Sequence, residues 1–186
     1  MKVLGISGSP RDKNTSYMLK TVLNATGQDT ELILLKDLDI KPCKACTYCR
    51  KNHCCTTGDD MQKLYPKIKE ADILIFGSPT YMSNVSGIMK NFMDRFLPFY
   101  LSKEIDGKRV AFLAVGNFKE DLEFDADGNC LWHKEEEESV AGCIQAFRAF
   151  GNIFSFKEIG EVHALHGDSK SEDKELISLG NKIGKL

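Results

Sequence analysis

The chain has 186 residues, enough for one well-buried core and short for two. Its hydrophobic fraction of 42% and charged fraction of 28% exclude a disordered chain, and a formal net charge of −2 excludes a general attraction to nucleic acid or anionic lipid. The opening MKVLGISGSP is too short an apolar run for a signal peptide or a membrane span, so we expect a single domain over 1–186, in the cytoplasm, with neither nucleic acid nor membrane as partner. Thiols stay reduced there, and the cysteine count of seven is odd, which argues against a disulfide framework.

In chain order, KVLGIS (2–7), ELILL (31–35), DILIFG (72–77) and RVAFLAVG (109–116) are apolar runs bounded by turn residues, the pattern of strands buried on both faces. A weaker run, 155–165, is the candidate fifth strand. Helical spacing appears over Asn14–Ala25, at Met61, Leu64, Tyr65 and Ile68 (with Pro66 expected to bend that helix), over Val85–Leu97, over Ser139–Phe150 and from Asp173 to the end. Alternating strands and helices predict an α/β fold: an open, doubly wound, five-stranded parallel sheet in the flavodoxin-like order, with helices on both faces. The segments 36–58 and 117–136 read as irregular, and the acidic run KEEEE as a solvated helix start.

The turn after the first strand, GISGSPRDKNTSYML, has neither the G-x-G-x-x-G of a dinucleotide fold nor the G-K-[ST] of a triphosphate loop. It is instead crowded with Ser7, Ser9, Thr15 and Ser16, together with Arg11 and Asn14, at a helix N-terminus that favours an anion. Hydroxyls and one arginine suit a terminal phosphate. Helix capping by Asn14 or Thr15 explains one such residue but not the set. The third strand leads into GSPTYMSNVSGIMKNFMDR, where Pro79, Thr80, Tyr81 and Asn84 make a stiff turn with an aromatic face, suited to a flat heteroaromatic ring.

Five cysteines fall between Cys43 and Cys55. Cys43, Cys46 and Cys49 are spaced C-x2-C-x2-C, a run that wraps one compact cubane, as in bacterial ferredoxins; zinc sites usually draw two pairs from separate turns. A [4Fe–4S] cluster is the expectation, with zinc and free thiols as alternatives, and the fourth ligand is Cys54 or Cys55. Lys41, Lys44, Arg50 and Lys51 supply charge suited to thiolates. Cys130 and Cys143 are expected to pack, and the four histidines to be structural or exposed.

Together the two loops resemble the flavodoxin-like, NADPH-dependent FMN reductase superfamily, and the cysteines narrow the resemblance to its iron–sulfur flavoproteins. The resemblance runs from Met1 to about Gly116. It implies bound FMN with phosphate contacts from Ser7, Ser9, Arg11, Asn14, Thr15 and Ser16, and ring contacts from Pro79, Thr80, Tyr81, Met82, Asn84, Gly116 and Asn117. The glycine-rich turn that the family usually has after the fourth strand is reduced here to Gly116. For the cluster the resemblance selects Cys55 rather than Cys54, because three residues separate Cys55 from Asp59-Asp60-Met61. The implied activity is electron transfer between a one-electron carrier, the cluster and FMN, which reduces a downstream acceptor; the expected partner is a small redox protein such as ferredoxin or a small-molecule electron acceptor. Rival readings are an NAD(P)H-dependent FMN or quinone reductase without a working cluster, and a redox sensor. No residue stands out as a general acid or base. A homodimer or homotetramer is expected from the resemblance and from the apolar stretch FMDRFLPFYL (92–101), although packing of that stretch on the sheet is an equal reading.

Overall fold

The computed structural model describes residues 1–116, 126 and 132–186. In chain order its elements are β1 (Lys2–Ser7), α1 (Asn14–Thr26), β2 (Asp29–Leu34), a 3-10 turn (Leu35–Asp37), α2 (Cys49–Asn52), α3 (Met61–Glu70), β3 (Ile73–Tyr81), β4 (Asn84–Val85), α4 (Gly87–Asp94), α5 (Leu97–Ser102), β5 (Arg109–Val115), α6 (His133–Ile153), β6 (Lys157–Ala164) and α7 (Asp173–Gly184). The parallel strands lie in the order β2-β1-β3-β5-β6, and the short β4 pairs antiparallel with β3. Counting only the parallel strands, this is the 2-1-3-4-5 order of a flavodoxin-like sheet.

The central strands β1, β3 and β5 are buried on both faces, which is why they read as continuous apolar runs. Alternate residues feed opposite layers. Leu4, Ile6, Leu74, Phe76 and Phe112 point to the layer of α3–α6, while Val3, Ile73, Ile75 and Leu113 point to α1 and α7. The first layer is dense in aromatics: Phe112 stacks on Phe147, with ring centroids 5.3 Å apart, and Phe96 meets Phe92, Phe99, Phe150 and Phe154. The edge strands β2 and β6 are only partly covered, and a register shift between Val110 and Ala111 disturbs β6 further, so its sequence signal is weak. Among the described residues no helix is long and apolar enough to cross a membrane.

Three elements differ from expectation. The helix expected over Val85–Leu97 is two, α4 and α5, joined at Arg95 and Phe96. Pro98 cannot donate to the Asp94 carbonyl, so the first helix ends there and Pro98 occupies the first turn of the next. Most of the 92–101 stretch is consequently buried within the chain itself: Phe92, Met93, Phe96, Pro98 and Phe99 are covered, and only Tyr100 is an exposed large apolar side chain. α6 begins at His133, earlier than Ser139, because Glu135 and Glu136 in its first turn complement the helix N-terminus without producing apolar periodicity. The acidic run is not wholly solvated either. Glu136 is fully buried, accepts a hydrogen bond from His166 N (2.9 Å) and faces His166 Nδ1 at 2.6 Å. Finally, β3 continues past Gly77 to Tyr81 and turns back into β4 as a hairpin.

Candidate functional site

Two sites stand beside the ends of α4. At its start, Ser86 caps the helix: its Oγ accepts from Met89 N (3.1 Å) and donates to Gly8 O (2.5 Å), and Gly8 N donates to Gly77 O (2.8 Å). The loops after β1 and β3 are thereby tied together at the carboxyl end of the sheet. A cleft of about 910 Å³ opens there, within the usual size of cofactor sites. Ser9, Arg11, Lys13, Asn14 and Thr15 line one side, and Pro79, Thr80, Tyr81, Met82 and Ser83 the other.

The first side is built for an anion. Among the described residues no side chain caps α1, so capping does not explain its polar residues: Asn14 Nδ2 donates instead to Gly167 O at 2.8 Å. The uncapped amides of a 13-residue helix, with Arg11 and Lys13 beside them, face the cleft with partial positive charge. Ser9 Oγ stiffens the turn by accepting from Arg11 N (3.1 Å) and donating to Arg11 O (2.6 Å). The second side is a two-residue hairpin loop. Met82 and Ser83 both have positive φ (50° and 57°), the pattern of a type I′ turn without its usual Asn or Gly. Strain of this kind persists only where the surroundings hold it. α6 does so here. Thr80 Oγ1 donates to Ser139 O (2.9 Å), and one turn along α6 the absent side chain of Gly142 admits the Ser83 carbonyl. Tyr81 is half exposed and Met82 is 97% exposed at the cleft rim, the apolar surface a flat ring would cover.

At the other end of α4, Cys43, Cys46, Cys49 and Cys55 line one small cavity with Thr57, Asp94, Arg95, Leu97 and Pro98; Cys54 does not line it and is exposed. Ala45 and Thr47, between the first three cysteines, have positive φ (51° and 61°), so the chain curls around the cavity as backbone does around an anionic group. The loop is fastened to the body. Lys41 N and Met61 N donate to Asp59, Gln62 Nε2 donates to Cys55 O (2.9 Å), and Asn91 Nδ2 donates to Ile40 O. Arg95, 2% exposed, pairs with the buried Asp59 (Nη1 to Oδ2, 2.5 Å), donates to Lys41 O (2.6 Å) and reaches Cys55 Sγ with Nη2 (3.4 Å). Burial opposes ionisation of Cys55, but hydrogen bonds from Thr57 and Arg95 outweigh it and hold the thiol below its usual range. Cys49 moves the other way, raised by burial and by the neighbouring thiols. Among the described residues no three His, Cys, Asp or Glu side chains converge on the position of a single metal ion. Four thiols around a cavity, with an N–H donor on one sulfur, fit a polynuclear cluster with one thiolate per corner better than one tetrahedral ion.

Residues 1–122 match the family model described as NADPH-dependent FMN reductase. An "Iron-sulfur flavoprotein" of Archaeoglobus fulgidus is 35% identical over 193 residues, covering 98% of this chain and 79% of that relative. The chain belongs to the iron–sulfur flavoprotein family. Another family member from the same organism is 44% identical over 98 residues, 51% of this chain and 48% of that relative, so the alignment there spans about half of each. Among solved structures, one described as a flavodoxin from the domain Archaea has a TM-score of 0.61 at 16% identity, covering 100% of this chain and 97% of that one, a likeness of fold.

Of the residues that the family resemblance singled out, Ser9, Arg11, Asn14, Thr15, Pro79, Thr80, Tyr81 and Met82 share the cleft. Ser7 and Ser16 are buried and do not line it. Asn84 lies on the other side of the hairpin, its Oδ1 accepting from Val85 N (2.8 Å), and lines a groove with Tyr100 and Ile153. Gly116 is buried against Glu136, and its neighbour Val115 lines the cleft instead. Asn117 and Cys130 lie outside the described residues. Cys143 packs as expected: it is fully buried, and burial pushes its thiol up to about 12. Sequence reading missed Lys13, Ser83, Glu135, Ser139 and Gly167 of the cleft, as well as the Asp59–Arg95 pair. Gly167 follows the last strand, so the rule that ligands sit at strand carboxyl ends could have found it; an arginine inside FMDRF was the one signal of the buried pair.

Proposed function

We propose that this chain is an FMN-dependent oxidoreductase of the electron-transferring type, with FMN in the cleft and a [4Fe–4S] cluster on Cys43, Cys46, Cys49 and Cys55. The observation that carries the reading is the pair of sites beside opposite ends of one helix: α4 has eight residues and is therefore about 12 Å long. When bound, FMN supplies electron exchange singly or in pairs, and the cluster exchange of one electron at a time. The chain supplies position and charge. The α1 N-terminus, Arg11 and Lys13 hold the phosphate, the β3–β4 hairpin supports the ring, and the exposed Lys44, Arg50 and Lys51 present positive charge beside the cysteines to a small redox protein such as ferredoxin. A small-molecule acceptor is the alternative partner. The family-model description favours one further reading, NADPH as the electron donor to the flavin.

Anaerobic purification with flavin, iron and sulfide counted per chain tests the whole proposal. One FMN with about four irons and four sulfides is expected. FMN without iron or sulfide would leave a plain flavin reductase, and rapid bleaching of that flavin by NADPH would establish the further reading. Arg11→Ala is expected to weaken FMN binding at least tenfold, about 1.4 kcal/mol, because a charge-assisted bond to the phosphate is lost from an exposed loop residue. Fluorescence titration of the apoprotein with FMN measures this, and unchanged affinity removes Arg11 from the site.

A homodimer or homotetramer belongs to the same reading. With Phe92, Phe96 and Phe99 buried internally, the support left on the surface is the groove of about 890 Å³ lined by Met93, Leu97, Tyr100, Phe150 and Ile153. Sedimentation equilibrium is expected to give at least a dimer; a concentration-independent monomer would exclude it.

A further inference from the structure

Arg95 is the residue whose placement the proposed function does not account for. Its guanidinium is withdrawn from water at the junction of α4 and α5, an expensive position for a charge unless it is paired and fully bonded. Three of its bonds are structural: two reach Asp59 (Nη1 to Oδ2 at 2.5 Å, Nη2 to Oδ1 at 3.2 Å), and one reaches the Lys41 carbonyl at 2.6 Å. Its main chain is pinned as well, since Tyr65 Oη donates to Arg95 O at 2.8 Å. The fourth bond serves no fold element. Nη2 points into the cysteine cavity and lies 3.4 Å from Cys55 Sγ. Asp59 grips the guanidinium and takes donors from Lys41 N and Met61 N, so the fork is aimed and cannot swing away from the sulfur.

We propose that Arg95 is a positioning residue for the cluster: its N–H···S bond orients the Cys55 sulfur and raises the reduction potential of the cluster. The inference rests on the assignment of the cluster to these cysteines. Reduction adds one negative charge to the cluster and its thiolates, and a fixed donor carrying positive charge stabilises the reduced state more than the oxidised one. Hydrogen bonds to ligand sulfurs are among the levers that set such potentials, and outer partners of ligands orient them. Arg95 is the described side chain that combines full burial, a fixed charge and a donor on a cavity-lining cysteine.

The test compares anaerobic holoprotein of the parent with Arg95→Lys, which keeps a cation near Asp59 but cannot fork to the sulfur. Electron paramagnetic resonance and visible absorbance, followed through a redox titration, give the cluster midpoint potential; iron, sulfide and FMN are counted in the same samples. The expected result is a midpoint at least about 59 mV lower, a tenfold loss in the one-electron equilibrium, with FMN content and the flavin potential unchanged. A cluster present at full occupancy with an unmoved potential overturns the proposal. If Arg95→Lys does not fold, the double variant Asp59→Asn/Arg95→Gln removes both buried charges together, and the same two outcomes decide the matter. A parent protein without iron and sulfide is a different failure: it sinks the cluster assignment itself, before Arg95 is tested.

Discussion

Cys55→Ala protein, purified anaerobically, is expected to keep its FMN and lose most of its iron, sulfide and cluster absorbance, while Cys54→Ala keeps all three. Neighbouring residues in an extended segment point to opposite sides, so both side chains cannot face one cluster. The geometry separates them. Cys55 lines the cavity with Cys43, Cys46 and Cys49, its carbonyl is held by Gln62 and its sulfur by Arg95, whereas Cys54 is exposed and does not line the cavity. A corner iron left without its thiolate is readily lost, because the other candidate would need the backbone to reverse against those fastenings. Iron and sulfide counts with visible spectra of the two variants measure the effect. The reverse pattern would move the ligand to Cys54, and full iron in both would mean that the two thiols substitute for each other.

The second large effect is expected from Gly142→Ala, a substitution in α6 that touches no proposed FMN atom. A methyl group there would sit well under 3.0 Å from the carbonyl of Ser83, a backbone atom that cannot step aside as a flexible side chain can. The hairpin carrying Tyr81 and Met82 must shift, and its two positive-φ residues leave little freedom to do so. FMN affinity is expected to fall tenfold or more. Overpacking costs about 1–3 kcal/mol, partly offset by the roughly 1 kcal/mol that alanine gains over glycine in a helix. Thermal unfolding would register any net loss at about 2–4 °C per kcal/mol. Gly87→Ala is the control: an added methyl group at the start of α4 meets none of the described residues within 4 Å, and both affinity and stability are expected to stay near those of the parent. If Gly142→Ala binds FMN as the parent does, α6 does not position the ring loop.

Local sequence patterns were sufficient wherever the physics is local. Strands buried on both faces must be apolar throughout, so β1, β3 and β5 were legible, and with the helices between them so was the parallel order. Three thiols at three-residue intervals and a hydroxyl-rich turn before a helix are likewise written in consecutive residues, which is why Cys43, Cys46, Cys49, Ser9, Arg11 and Asn14 could be named before any contact was known. Features that depend on distant segments meeting were decided only by the tertiary structure. Glu136 belonged to an acidic run that read as solvated, until packing of α6 under Gly116 and His166 buried it. The FMDRFLPFYL stretch looked too apolar for one exposed helix face, and the turn at Arg95 folded most of it inward. Ser139 and Gly142 face the hairpin, and Asp59 meets Arg95 thirty-six residues away, because the sheet order brings these elements together. Composition and periodicity report how each residue meets water; which buried charge finds which partner depends on long-range geometry that no window of consecutive residues contains.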